Sequence, residues 1–198
     1  TQPETFKSHY FHDGHECSVS RKAALTALLS DICDEVFSMT PVVSNEAINR
    51  DDITSVANNS RSKIITALLR SELEPGLGLP GSGQEVSIMR STLVRTGILI
   101  DEMGVAKINL APEDAYLANM LKTIVSFIKE AQIHGEMSFG ELYRRLTGPE
   151  CHIGMRKGLI PIYLAAVLHE FKQSVLITDR FGQVPTSTDV LLQINAEP

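Results

Sequence analysis

Residues 157–171 read KGLIPIYLAAVLHEF, and this stretch is the strongest indication of the fold in the sequence. Every position from Leu159 to Leu168 is apolar or carries only a tyrosine hydroxyl, so a helix here is apolar on all sides. Such a helix belongs in a core or an interface. A helix that reads DNA must instead present polar side chains to base edges. This stretch therefore predicts a buried helix, although it occupies the position of a recognition helix.

The elements around this apolar helix follow the order of a winged helix with a helix-turn-helix. A long amphipathic helix is predicted after Pro112, and a short one after Ser138, which forms a capping box with Glu141. A hairpin with its turn at 180–182 follows the apolar helix. Three helices and a two-stranded wing define the winged-helix order, so residues 113–185 are predicted to adopt it.

The first half of the chain follows the same order more loosely. A short hairpin and several helices precede a second hairpin at residues 98–110. The residues that predict its first turn and its helix starts are, in chain order, Asp13-Gly14, Ser20, Asp51 or Asp52, and the capping box of Ser82 and Glu85. We therefore expect a mainly α fold of α+β type with short two-stranded hairpins, built as two winged-helix-like units at residues 1–110 and 111–198.

The composition is that of an ordinary globular protein. Its 198 residues include 24 acidic and 18 basic side chains, for a net charge of −6. No apolar run approaches the roughly 18 residues that a membrane helix needs, so no membrane contact is expected. The three cysteines are far apart without a C-x-x-C spacing, which favours a reducing cytoplasm. Because the chain opens on Thr1 and closes on Pro198, we expect it to be a piece of a longer protein.

The sequence contains no strong motif for catalysis, nucleotide binding or metal binding. The Gly-rich loop at 78–83 is followed by Gln84 and Glu85, where a phosphate-binding Walker loop needs Lys and Ser or Thr. Four residues near the N-terminus could bind a metal by their chemistry, and they are His9, His12, His15 and Cys17. We expect them to lie in a hairpin, where the alternation of side chains would place them on different faces. We therefore predict no catalytic residues, no bound metal and no cofactor.

Five basic residues are the candidates for nucleic-acid binding. They lie around the predicted helix-turn-helix and on its wing, and they are Arg144, Arg145, Arg156, Lys157 and Arg180. Residues 1–110 carry a charge of −4 and residues 111–198 carry −2, so neither half supplies a broad positive field. The expected activity is weak, sequence-independent duplex binding that is visible only at low salt.

Several segments resemble large bacterial P-loop ATPase-like proteins of phage-defence and restriction systems, similar to the BREX ATPases. They are CDEVF at 33–37, TPVVSNEAINR at 40–50, SRSK at 60–63, MRSTL at 89–93, Thr96-Gly97, and GMRKGLIPIYLAA at 154–166. The resemblance implies a helical, winged-helix-like accessory region outside the ATPase core. No nucleotide-binding motif is present, so no catalytic residue is carried over.

The function expected from these observations is a non-catalytic interaction module. It would dock a partner domain, a subunit or nucleic acid within a larger cytoplasmic, ATPase-like protein. The alternative is a DNA-binding winged-helix regulator that uses the five basic residues above.

Overall fold

The computed structural model describes residues 8–198 and confirms the mainly α class with short hairpins. Residues 1–7 of the predicted first unit lie outside this range. The described helices are α1 (Lys22–Val36), α2 (Ser55–Leu68), α3 (Gln84–Met89), α4 (Ala115–His134), α5 (Phe139–Thr147), α6 (Ile160–Phe171) and α7 (Thr188–Ala196). The strands form three antiparallel hairpins, β1 (Tyr10–His12) with β2 (His15–Cys17), β3 (Leu99–Glu102) with β4 (Val105–Ile108), and β5 (Ile177–Asp179) with β6 (Gly182–Val184).

The chain divides into a small unit that ends at Ser38 and a large unit that spans Met39–Pro198. The boundary predicted near residue 110 falls inside the large unit. The reason is that α6 packs against α2, which precedes residue 110 in the chain, and also against α4 and α7, which follow it. Residues on both sides of this position therefore share one hydrophobic core.

The small unit contains the first hairpin and α1. Asp13 and Gly14 both adopt positive φ in the turn between β1 and β2, as their sequence predicts. The N-cap of α1 is Arg21 rather than the predicted Ser20, and its side chain makes no capping hydrogen bond. No residue of α1 is fully buried.

Helix starts in the large unit differ in part from the prediction. The hydroxyl of Thr54 caps α2 by accepting a hydrogen bond from the Ala57 N–H at 3.2 Å, so neither Asp51 nor Asp52 is the cap.

The hydroxyl of Ser138 caps α5 by accepting a hydrogen bond from the Gly140 N–H at 3.1 Å, so the predicted cap is confirmed. The predicted return contact from Glu141 does not form, because its carboxylate pairs with Arg144 and Arg145.

The capping box predicted at Ser82 and Glu85 does not form. The N-cap of α3 is Gly83, and no side chain caps the helix. The Glu85 carboxylate instead accepts a hydrogen bond from Lys63 Nζ at 2.8 Å, which ties the start of α3 to α2.

The helix α6 is buried over Ile160–Leu168, as its apolar sequence predicts. The helix α3, in contrast, continues through a π-helical turn at Arg90–Val94 that remains partly exposed. A hairpin follows each of these helices, β3–β4 after α3 and β5–β6 after α6. No helix among residues 8–198 has both the length and the apolar character needed to cross a bilayer.

Candidate functional site

The predicted basic residues occupy three places in the large unit, namely α5, the segment before α6, and the β5–β6 turn. On α5, Arg145 donates to both carboxylate oxygens of Glu130, at 3.0 and 2.8 Å, and to Glu141 at 2.9 Å. Its neighbour Arg144 pairs with Glu141 and, at 3.4 Å, with Glu150. Both guanidinium groups of α5 are therefore already matched by carboxylates.

The segment before α6 is held by Asp51. One carboxylate oxygen accepts from the Arg156 guanidinium at 2.9 Å, and the other accepts from the backbone N–H of Lys157 at 3.0 Å. The carboxylate that the sequence suggested as a cap of α2 thus binds the chain ahead of α6. At the β5–β6 turn, Arg180 lies over the ring of Phe181, 4.7 Å from its centroid.

These pairs change the electrostatics of the α5 surface. The hydrogen bonds from Arg145 hold the pKa of Glu130 below its usual range, and the same contact raises the pKa of Arg145. Because each charge is compensated next to it, the field that Arg144 and Arg145 project into solvent is weakened. The sequence shows that these two cations are present, but it does not show that Glu130 of α4 pairs with Arg145.

A further cation, Arg61 of α2, is buried in the core. Its guanidinium donates to the Gly158 carbonyl at 3.1 Å and to the Asn58 side chain at 2.7 Å, while its Nε has no hydrogen-bond partner. Loss of hydration lowers the pKa of Arg61 to about 10. A cation with only 5% of its surface exposed cannot receive a large ligand. We interpret Arg61 as a structural link between α2 and the start of α6.

One polar cleft, of about 180 Å³, was not predicted from the sequence. It lies between the loop at 44–45 and the outer face of α3 with its π turn. Its polar lining includes Ser44, Asn45, Ser87, Arg90, Ser91 and Arg95. We call it the serine–arginine cleft.

Two hydrogen bonds fix the shape of the serine–arginine cleft. The Asn45 amide donates to the Ser91 hydroxyl at 2.9 Å, which holds the loop against α3. The Arg95 N–H donates to the Arg90 carbonyl at 2.8 Å and so closes the π turn, which places one arginine a single turn beyond the other. Single π turns of this kind are frequent at functional sites.

The two arginines of the serine–arginine cleft differ from those of α5 in their ion pairing. Within residues 8–198, neither Arg90 nor Arg95 forms an ion pair. Both side chains are exposed. The sequence indicated a helix in this segment through the helix start predicted at Ser82 and Glu85. Its spacing did not reveal the loop at 44–45 as the opposite wall.

The hairpin does not separate the candidate metal ligands by face as predicted, because His12 is the register partner of His15 and Cys17 lies on the same face, two residues beyond His15. Among residues 8–198, no group of three or more His, Cys, Asp or Glu residues is placed to hold a metal ion. His12 and His15 lie opposite each other across the β1–β2 turn, and His9 Nδ1 is 2.5 Å from a carboxylate oxygen of Glu16.

Comparisons of this chain with protein-family models, with curated proteins and with solved structures found no match.

Proposed function

We propose that this chain is a non-catalytic interaction module of a larger bacterial, ATPase-like protein that works in the cytoplasm. The resemblance to the phage-defence ATPases suggests the parent protein. The observation that carries the proposal is the burial of α6 from Ile160 to Leu168. A winged-helix-like region whose third helix is part of the core is suited to support a docking surface rather than to read bases.

The exposed turns of the hairpins supply apolar groups for such docking. Met103 lies in the β3–β4 turn, and Phe181 lies in the β5–β6 turn next to Arg180; both apolar side chains project into solvent. Methionine, aromatic residues and arginine are enriched at protein interfaces. The alternative, a regulator that contacts DNA with the five predicted basic residues, has less support because Arg144, Arg145 and Arg156 are held in ion pairs.

The test begins with the open reading frame that encodes this chain. We expect it to contain a P-loop ATPase segment, which is then expressed separately from the 198-residue chain. Calorimetry should show that the two parts bind each other, and only the ATPase segment should hydrolyse ATP. Substituting Met103→Ser and Phe181→Ser should weaken this binding, whereas the matched change Val42→Ser, at another exposed apolar residue, should not. ATP turnover by the 198-residue chain itself would contradict the proposal.

A further inference from the structure

The helix α3 and its π turn occupy the place that α6 occupies in the other half of the large unit, directly before a hairpin. The exposed residues of this segment include Ser87, Arg90 and Arg95, and all three side chains can donate hydrogen bonds. The half-buried Ser91 hydroxyl already donates to the carbonyls of Ser87 and Ile88, at 3.0 and 2.9 Å, so it shapes the cleft rather than offering a donor. The carboxylate at its start, Glu85, is turned toward Lys63. The outer face of α3 and its π turn is therefore cationic and polar, unlike that of α6.

The lining of the serine–arginine cleft matches the oxygens of a phosphate group. Guanidinium groups form strong, charge-assisted hydrogen bonds to phosphate, and hydroxyl and amide donors are common partners of phosphate in protein–DNA contacts. Since Arg90 and Arg95 pair with no carboxylate in the described chain, a phosphate can bind them without first breaking an ion pair. The hydroxyl of Ser87 also has no hydrogen-bond partner among residues 8–198, so it is available to a ligand.

We propose that the serine–arginine cleft binds the phosphodiester backbone of duplex DNA. The proposal rests on the proposed function, in that the chain binds rather than catalyses, and it names one of its partners. Duplex DNA is favoured over a small phosphate compound because both arginines lie on an exposed helix in an open groove beside a hairpin.

The neighbouring surface limits the contact. A larger cleft of about 570 Å³ shares Ser44, Ser91 and Arg95 with the serine–arginine cleft, and Glu113 and Asp114 also line it. These carboxylates repel phosphate, so the backbone contact is confined to the serine–arginine cleft and does not extend into the larger one. Two phosphate contacts predict that the logarithm of affinity falls with the logarithm of salt concentration with a slope of about −2.

The experiment is fluorescence anisotropy of a short labelled duplex with the 198-residue chain across a salt series. The double substitution Arg90→Ala and Arg95→Ala should reduce affinity at low salt by about tenfold or more, and should bring the salt slope close to zero. The matched substitution of two adjacent arginines, Arg144→Ala with Arg145→Ala, should leave affinity within about twofold.

A second variant separates charge from geometry. Arg90→Lys with Arg95→Lys keeps both charges but loses the planar donor pair, so it should retain the salt slope and bind more weakly. Circular dichroism melting checks that each variant is folded, and exposed side chains at both positions predict that it is.

Several outcomes would overturn the proposal. They are duplex binding that persists without Arg90 and Arg95, duplex binding that depends on Arg144 and Arg145, and no duplex binding at the lowest salt. Calorimetric titration with AMP distinguishes a small ligand: saturable AMP binding without duplex binding also refutes the DNA assignment. Any of these results leaves binding to the separate ATPase segment unaffected, so failure here is distinct from failure of the proposed function.

Discussion

The two helix–hairpin pairs of the large unit share an element order but use their helices in opposite ways. In the pair α3 with β3–β4, the helix shows a polar face with Ser87 and Arg90 to solvent. In the pair α6 with β5–β6, residues Ile160–Leu168 of the helix are buried, and α2, α4 and α7 pack against it. The order of elements therefore does not determine which helix is available to a partner. What determines it is the distribution of apolar residues around each helix.

The cations of the two pairs differ in the same way. Arg144 and Arg145 follow Glu141 by three and four residues, which is the spacing for ion pairs on a helix, and both are paired. Arg90 follows Glu85 by five residues, and that carboxylate binds Lys63 instead. Counting basic residues thus overstates the accessible charge near α5 and understates the importance of α3.

The largest expected difference between the two helices comes from placing a charge on α6 and, for comparison, on α3. Leu164→Asp should unfold the large unit, because Leu164 is fully buried and an unpaired charge in a core costs several kcal/mol. Ser87→Asp on the exposed face of α3 should change the free energy of unfolding by no more than about 0.5 kcal/mol. Urea denaturation followed by circular dichroism measures both. A folded Leu164→Asp variant would show that α6 is a docking surface and not core.

The next contrast concerns the glycines that precede the two helices. A Cβ at Gly158 would collide with the backbone carbonyl oxygens of Ile48 and Arg50, which cannot move easily. A Cβ at Gly83 would meet only the carboxylate end of the Glu85 side chain. Gly158→Ala should therefore destabilise the protein by about 1–3 kcal/mol.

Gly83→Ala provides the matched change, and it should cost less than about 1 kcal/mol, mainly through the loss of a favourable N-cap residue. Thermal melting of the two variants decides the point. Equal losses of stability would mean that the close packing ahead of α6 is not what distinguishes the two helices.

Sequence reasoning predicted those parts of the fold that short-range physics determines. The apolar run of α6, the Asp13-Gly14 turn and the Ser138 cap are each specified within a few residues, and all three are confirmed. The predicted caps at Ser20 and Asp51 were wrong for different reasons. The chain begins α1 one residue later, without a side-chain cap, whereas the Asp51 carboxylate binds a segment more than a hundred residues away.

The candidate site was harder to predict because it depends on tertiary contacts. The ion pair of Arg145 with Glu130 joins α5 to α4, and the wall formed by Asn45 reaches Ser91 across 46 positions of sequence. Neither contact follows from helical spacing. The π turn that relates Arg90 to Arg95 also lies outside a 3.6-residue pattern, so periodicity does not bring these two side chains to one cleft.

The prediction with the smallest expected effect tests whether the carboxylate of Glu130 holds the Arg145 guanidinium on α5. The pKa of Glu130 is lowered in the folded protein by hydrogen bonds from Arg145, relative to an ordinary value of 4.5. A lowered folded-state pKa means that the ionised pair contributes stability above the unfolded-state pKa. That contribution is lost as the pH falls through the lower, folded-state value. Glu130→Gln should consequently destabilise the protein at neutral pH and lose this effect under acid conditions, where the wild-type carboxyl is protonated.

Urea midpoints at neutral pH and at successively lower acid pH values measure this difference. Glu136→Gln is the matched control, because it removes one negative charge from an exposed position that forms no ion pair within residues 8–198. It should leave the midpoint nearly unchanged at neutral pH. If Glu130→Gln behaves like Glu136→Gln at neutral pH, the pair with Arg145 is too weak to withhold this cation from DNA. The contrast between the paired arginines of α5 and the free arginines of the serine–arginine cleft would then lose its electrostatic basis.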